Sequence, residues 1–252
     1  MKYCLIVAYD GTRYFGWQAT AFGPSIQSEL EAAARSVLRT EVACEAASRT
    51  DRGVHAKAQM VQLDAPKTLE PERLWMGMNS HLPPDIRIQS VRLCQEPFHV
   101  TLDAVGKTYC YYLCTGHVQL PFHRKFSWHY PRPLDLASMR RSAATWLGTH
   151  DFSAFTTEPQ PNSVRTLHRL DLIQLPEERL CIAMSGDRFL YKMARTLAGT
   201  LANIGSGKLP EEGALQLLRA PERKLAGVTA PAHGLTLHAV HYSVEEMARL
   251  NV

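Results

Sequence analysis

C-E-A-A-S-R-T-D-R-G-V-H-A-K-A-Q-M-V-Q-L, Cys44 to Leu63, reads as strand, loop, strand. A small-residue run, Cys44-Glu45-Ala46-Ala47, leads in. The run Gln59-Met60-Val61-Gln62-Leu63 leads out and alternates with the period of two of a half-buried strand. Between them, Ser48 to Ala56 holds one carboxylate, Asp51, two arginines, Arg49 and Arg52, and one histidine, His55. Gly53 can take backbone angles that a β-carbon resists. Nearby cations favour the charged form of a carboxylate, and loops between rigid elements are where functional residues concentrate. By chemistry alone the loop has two readings: a working carboxylate, or a surface turn whose Asp accepts backbone hydrogen bonds.

Toward the N-terminus, Lys2 to Tyr9 is rich in β-formers and ends at the turn signal Asp10-Gly11. The aromatics Tyr14, Phe15 and Trp17 follow among glycines. Gly23-Pro24-Ser25 then precedes a helical pattern with Ile26, Leu30, Ala33, Ala34, Val37 and Leu38 on one face. Beyond the loop, Pro71 opens a short helix with Leu74, Trp75 and Met78 inward. Pro83-Pro84 ends it, and Ile86 to Leu93 alternates as a strand. The order is β-α-β-β-α-β, that of a ferredoxin-like unit.

The pattern then repeats. Lys107-Thr108-Tyr109-Cys110-Tyr111 echoes Lys2-Tyr3-Cys4. A helix is expected over about 135–147, strands over 165–175 and 179–185, a helix from Phe189 to Ile204 ended by Gly205, and a last strand over Leu235 to Tyr242. The expected fold is α+β, two ferredoxin-like βαββαβ units over residues 1–101 and 102–252. The stretch 205–233 reads as a surface excursion with a short helix near Glu211 to Arg219.

At 252 residues and 45% hydrophobic, the chain can build a sizeable core. It has no apolar run of about 18 residues, and its start lacks the length and cleavage site of a signal peptide, so a cytoplasmic protein without a membrane span is expected. The six cysteines, at 4, 44, 94, 110, 114 and 181, show neither C-x-x-C pairing nor zinc-site spacing. They read as small buried hydrophobes of a reducing compartment, with no metal site. A net charge of +4 permits nucleic-acid binding without demanding it.

R-T-D-x-G-V-H-A resembles the catalytic loop of the tRNA pseudouridine synthase A family. Six further segments match that family in order: Y-D-G-T-x-Y-x-G-W-Q (Tyr9 to Gln18), K-x-Y-x-Y (Lys107 to Tyr111), G-T-H-D-F-S-x-F (Gly148 to Phe155), V-R-T (Val164 to Thr166), F-L-Y-x-M-x-R-x-x-x-G (Phe189 to Gly199) and A-P-x-x-G-L-x-L (Ala230 to Leu237). The resemblance implies two related halves sharing a continuous sheet, with the active cleft between them. It also implies a homodimer that isomerises uridine to pseudouridine in the anticodon stem-loop of tRNA, at tRNA positions 38–40. That reaction gains and loses no atom, so it implies no cofactor. Asp51 matches the family's essential carboxylate. Arg49 matches the arginine that fills the space left by the flipped nucleotide. Tyr109 matches the tyrosine that stacks on the target base.

Arg195 divides the two lines of argument. On a helix from Phe189, the apolar face is Phe189, Leu190, Met193, Leu197, Leu201 and Ile204, which leaves Arg195 nearly opposite as a solvated side chain. The resemblance makes it the partner of Asp51. The basic groups at 123–125, 140–141, 165 with 168–169, and 223–224 are open to phosphate contact or to solvent. Some positions depart from the family pattern: Ser48, Arg52, Thr101, Leu102 and Ala194. These bear on substrate positioning rather than on the reaction. A phosphohydrolase of the D-x-D-G-T type is disfavoured because Ala8 occupies the nucleophile's place. The remaining alternative is an RNA-binding paralogue without activity.

Overall fold

The computed structural model describes residues 1–94, 97–158 and 160–249. They form two compact units, Met1–Val105 with Leu237–Ser243, and Gly106–Thr236 with Val244–Val252.

The first unit runs β1 (Lys2–Tyr9), α1 (Ile26–Leu38), β2 (Ala43–Ala46), β3 (His55–Asp64), α2 (Pro71–His81) and β4 (Ile86–Leu93). β1 lies between β3 and β4, antiparallel to both, so that Leu5 faces Val61 on one side and Val91 on the other. β2 also pairs antiparallel with β3. Tyr3, Leu5, Val7, Val61 and Leu63 are buried. α1 and α2 cover this sheet, each for a readable local reason. Ser25 caps α1 in a box with Ser28, and Ile26, Leu30, Ala33, Ala34 and Leu38 are buried. Pro71 starts α2, which buries Leu74 and Met78. Trp75, expected inward, is 37% exposed and spans the edge, its indole N–H donating to the Ile88 carbonyl at 2.7 Å.

The second unit begins with β5 (Gly106–Cys114) and the two-residue β6 (Trp128–His129), then α3 (Leu136–Thr145) and β7 (Gly148–Asp151). β8 (Val164–Leu175), β9 (Arg179–Gly186), α4 (Met193–Gly205) and α5 (Gly213–Arg219) follow. The last elements of the chain are β10 (Leu235–His241) and α6 (Val244–Arg249). The strand order in this unit is β5-β9-β8-β7, antiparallel throughout, with β6 parallel beside β5. Leaving out the short β6, β7 and α5, the elements β5-α3-β8-β9-α4-β10 follow the β-α-β-β-α-β order. The sequence division puts the last strand with the second half, whereas Leu237 onward counts with the first unit, where β10 lies beside β3.

Two expectations are corrected. Cys4 and Cys94 are joined in a disulfide, not free. The antiparallel pairing of β1 with β4 sets their Cα atoms 5.5 Å apart across 90 residues of sequence, a proximity that no local spacing displays. Closing a loop of that length is worth about 4–5 kcal/mol in chain-entropy terms. Cys44, Cys110, Cys114 and Cys181 are buried and in no disulfide, as expected.

The second correction concerns the stretch 205–233, which is built into the second unit. The Trp146 indole donates to the Ala214 carbonyl at 2.9 Å, and Ala214 and Leu217 are buried. Residues 227–230 lie directly on α4: a β-carbon at Gly199 would sit 1.9 Å from the Val228 oxygen, and one at Gly227 would sit 2.6 Å from the Thr200 Cα. Two glycines thus let two backbones touch.

Candidate active site

The loop that carries Asp51 is braced by the segment Tyr9–Gln18. The Trp17 N–H donates to the Thr50 carbonyl at 3.0 Å, and the Gly53 N–H approaches the Tyr14 carbonyl at 3.4 Å. Within the loop, the Val54 N–H donates to the Asp51 carbonyl at 3.1 Å, closing a tight turn in which Gly53 has φ +79°. The hydroxyls of Tyr9 and Thr50 are hydrogen-bonded at 2.8 Å. Gln59, buried on β3, accepts from the Ser48 N–H at 3.2 Å and donates to the Ser48 carbonyl at 2.6 Å. Burial pushes the Tyr9 phenol up to about 12, so it remains a neutral hydrogen-bonding group at physiological pH.

Glycine makes the close approach feasible. Gly16 has φ +96°, and a β-carbon there would lie 2.6 Å from the Thr50 oxygen. At Gly11 the β-carbon would lie 1.9 Å from the Val54 oxygen. The Gly11 N–H donates to the buried His55 ring nitrogen Nδ1 at 3.0 Å. Nδ1 is then the acceptor, so the nearby Asp10 carboxylate, 3.3 Å away, is a polar neighbour of the ring in that tautomer rather than its ion-pair partner. Asp10 itself caps the Gly11–Arg13 turn through the Thr12 N–H at 3.0 Å. Gly11→Ala is expected to destabilise the protein by about 2–3 kcal/mol, because backbone meets backbone and neither can rotate away. Denaturant titration reads this directly, and an unshifted midpoint would show that the turn does not hold the loop.

Asp51 is half-buried at the rim of this loop, and Arg49 is exposed beside it. Arg52, a departure from the family pattern, stacks its guanidinium 4.2 Å from the centre of the Phe15 ring. It therefore contributes to the brace. Tyr14, buried by the same segment, donates to Asp85 at 2.6 Å, and Arg13 donates to the other oxygen of that carboxylate at 2.8 Å. The sequence reading missed Tyr9, Tyr14, Gln59 and Asp85 as supports. Tyr9 and Tyr14 lie in the matched segment Tyr9–Gln18, whereas Gln59 and Asp85 carry no local signal of this role.

In the second unit, Tyr109 lies on β5 and is buried, with its ring edge-on to Phe189 at 5.0 Å and 77°. Tyr111, two residues on, is deeper: its hydroxyl donates to the Pro231 carbonyl at 2.9 Å, and Trp128 meets its ring edge-on. Cys110 and Tyr112 project to the other face, where Cys110 packs with Cys181 and Ala183. Alternation thus separates the two tyrosine environments.

Arg195 is not on a solvated face. α4 begins at Met193, not at Phe189, and every one of its residues except Arg195 is buried. Arg195 is half-buried and held at two points by Ala230: its Nε donates to the Ala230 carbonyl at 2.8 Å, and its own carbonyl accepts from the Ala230 N–H at 3.1 Å. Its positive charge reaches neighbouring groups. His233 is lowered first by burial and then by Arg195, against a backbone hydrogen bond at Ser127, so it stays neutral. Burial pushes the Tyr111 phenol far up, and Arg195 opposes that. The two matched segments Phe189–Gly199 and Ala230–Leu237 therefore meet at this arginine. Arg49 and Asp51 share one loop of the first unit, and Tyr109 and Arg195 belong to the second.

Fold and site together define an α+β protein with a carboxylate on a braced loop and, in its second unit, a buried tyrosine and a backbone-clamped arginine. The family model described as tRNA pseudouridine synthase matches residues 5–103 and 143–243. A tRNA pseudouridine synthase A of Protochlamydia amoebophila is 44% identical over 94% of this chain and 93% of its own. One from Myxococcus xanthus is 38% identical over 94% and 91%. A solved Cbf5-Nop10-Gar1 complex aligns with a TM-score of 0.38 and 10% identity, over 79% of this chain and 44% of that one, a likeness too slight to carry an argument. The chain belongs to the tRNA pseudouridine synthase family, a family of isomerases.

Proposed function

We propose that this protein converts uridine to pseudouridine at positions 38–40 in the anticodon stem-loop of tRNA, as a homodimer, with Asp51 as the catalytic carboxylate. The observation that carries the reading is the bracing of the Asp51 loop by Tyr9–Gln18, two family segments that meet backbone to backbone. Such rigidity suits a group that must act on a bound sugar at a set distance.

In the reaction the bond from ribose C1′ to the uracil nitrogen breaks and a bond from C1′ to the fifth ring carbon forms. The proton on that carbon leaves, and the ring nitrogen gains one, so atoms balance without a cofactor. The target base must leave its stack. Arg49, exposed on the catalytic loop, fills the space it vacates, and Tyr109 supplies the flat surface on which the base rests. Arg195 serves the same bound nucleotide and the carboxylate with its fixed charge.

The test is the release of tritium from tRNA labelled at the fifth carbon of uridine, together with pseudouridine mapping of tRNA from cells with and without the protein. Release accompanied by loss of the modification at positions 38–40 is the expected result. Tight tRNA binding without release would identify an inactive RNA-binding paralogue. Modification elsewhere in tRNA would overturn the assigned positions.

A further inference from the structure

One end of the second unit's sheet carries cations that the reading above leaves unused. Lys107 opens β5 and pairs in register with Gly186 at the end of β9, and Gly186 pairs with Leu167 of β8 on its other side. Arg188 lies two residues beyond Gly186 and Arg165 two residues before Leu167, so Lys107, Arg165 and Arg188 collect where three strands end. Lys107 shares a strand face with Tyr109. Phe189, adjacent to Arg188, is the residue against which the Tyr109 ring rests.

The charges here are not balanced. The carboxylate in the cluster, Asp187, is engaged by backbone: its Oδ1 accepts from the Thr166 N–H at 3.0 Å and the Arg188 N–H at 2.6 Å. Among the described residues, no carboxylate lies within ion-pair distance of Lys107, Arg165 or Arg188. Arg165 donates through Nη1 to the carbonyls of Asn162 and Val164 and through Nη2 to the Gln160 side-chain oxygen, yet its Nε is buried with no hydrogen-bond partner among the described residues. Burial, and then the charge of Arg188, bring the Lys107 amine down to about 8. Burial also lowers Arg165, with Asp187 opposing and Arg188 adding to the effect. Lys107 and Arg165 are half-buried and Arg188 is exposed beside them; two half-buried cations near a third cost stability unless an anion completes the site.

We propose that Lys107, Arg165 and Arg188 form an anion subsite that takes a phosphodiester group of the RNA substrate, beside the nucleotide that rests on Tyr109. The inference depends on the proposed function and names how the same site holds its substrate. A phosphate there supplies the missing counter-charge, and it ties the backbone of the flipped nucleotide to the strand that carries the stacking ring.

Lys107→Met tests this, since it keeps the length of the side chain and removes the charge. The dissociation constant for tRNA should rise about tenfold at physiological salt, and the slope of log affinity against log salt should shrink by about one. The larger share of the catalytic loss should fall on KM. The melting temperature of the free protein should rise by about 2 °C or more, because a desolvated cation has been removed. A lysine with only a structural role would give the opposite sign in the melt and an unchanged salt slope, and that pair of results overturns the subsite. Arg165→Met should weaken tRNA binding and the salt slope in the same direction. Wild-type protein that neither binds nor modifies tRNA would instead sink the proposed function, and the subsite with it. An active wild type whose Lys107→Met variant binds normally sinks the subsite alone.

Discussion

Asp51→Asn is expected to lower turnover by at least about a thousandfold, roughly 4 kcal/mol of barrier, while tRNA affinity stays within about threefold of wild type. The amide keeps the size of the carboxylate and one acceptor, but it loses the charge, and with it both nucleophilicity and basicity. The loop itself should survive the change. Its closing bond uses the Asp51 main-chain carbonyl, and its brace uses Thr50, Gly53 and Ser48. Asn is also a good turn former. A structural turn residue would therefore tolerate the substitution, whereas a residue acting in the transition state would not. Tritium release measured beside a binding titration separates the two. Near-normal release by the variant would end the catalytic assignment of Asp51 and most of the case for the reaction.

Arg195→Met should lower turnover about a hundredfold, close to 3 kcal/mol. The substitution removes a fixed positive charge and the Nε donor that grips the Ala230 carbonyl. Arg195→Lys should recover only part of the rate, because an ammonium restores the charge without the planar donor that sets its direction. Rates under single turnover, read beside thermal melts, distinguish this from a packing role. If Arg195 merely clamps residues 226–231 to α4, both variants should melt lower and turn over normally once folded. That outcome would return Arg195 to the structural role its two bonds to Ala230 already describe.

Much of the architecture was legible because it rests on local signals. α1 begins where Ser25 and Ser28 cap it, and α2 begins at Pro71. β1 and β4 end and start at the turn chemistry of Asp10-Gly11 and Pro83-Pro84. Each of these choices is made by residues within one turn of the boundary. The short strands β6 and β7 escaped notice because two and four residues are too few to show a period. The wheel that set Arg195 in solvent failed for two reasons. It began at Phe189, four residues before the helix does. It also assumed one wet face, whereas α4 packs against α3 and β5 and is covered again by residues 227–230.

By itself, the sequence determined the longer elements, the β-α-β-β-α-β order of the first unit, and the loop on which Asp51 sits, since capping, turn chemistry and hydrophobic period act over a few residues. The tertiary structure alone decided which distant segments meet. It joined Cys4 to Cys94, set Gly11 and Gly16 against the Asp51 loop, and laid 227–230 on α4 so that Ala230 grips Arg195. The physical reason is range. Burial and close backbone approach are properties of pairs far apart in the chain, and a glycine shows in sequence that something comes near without showing what.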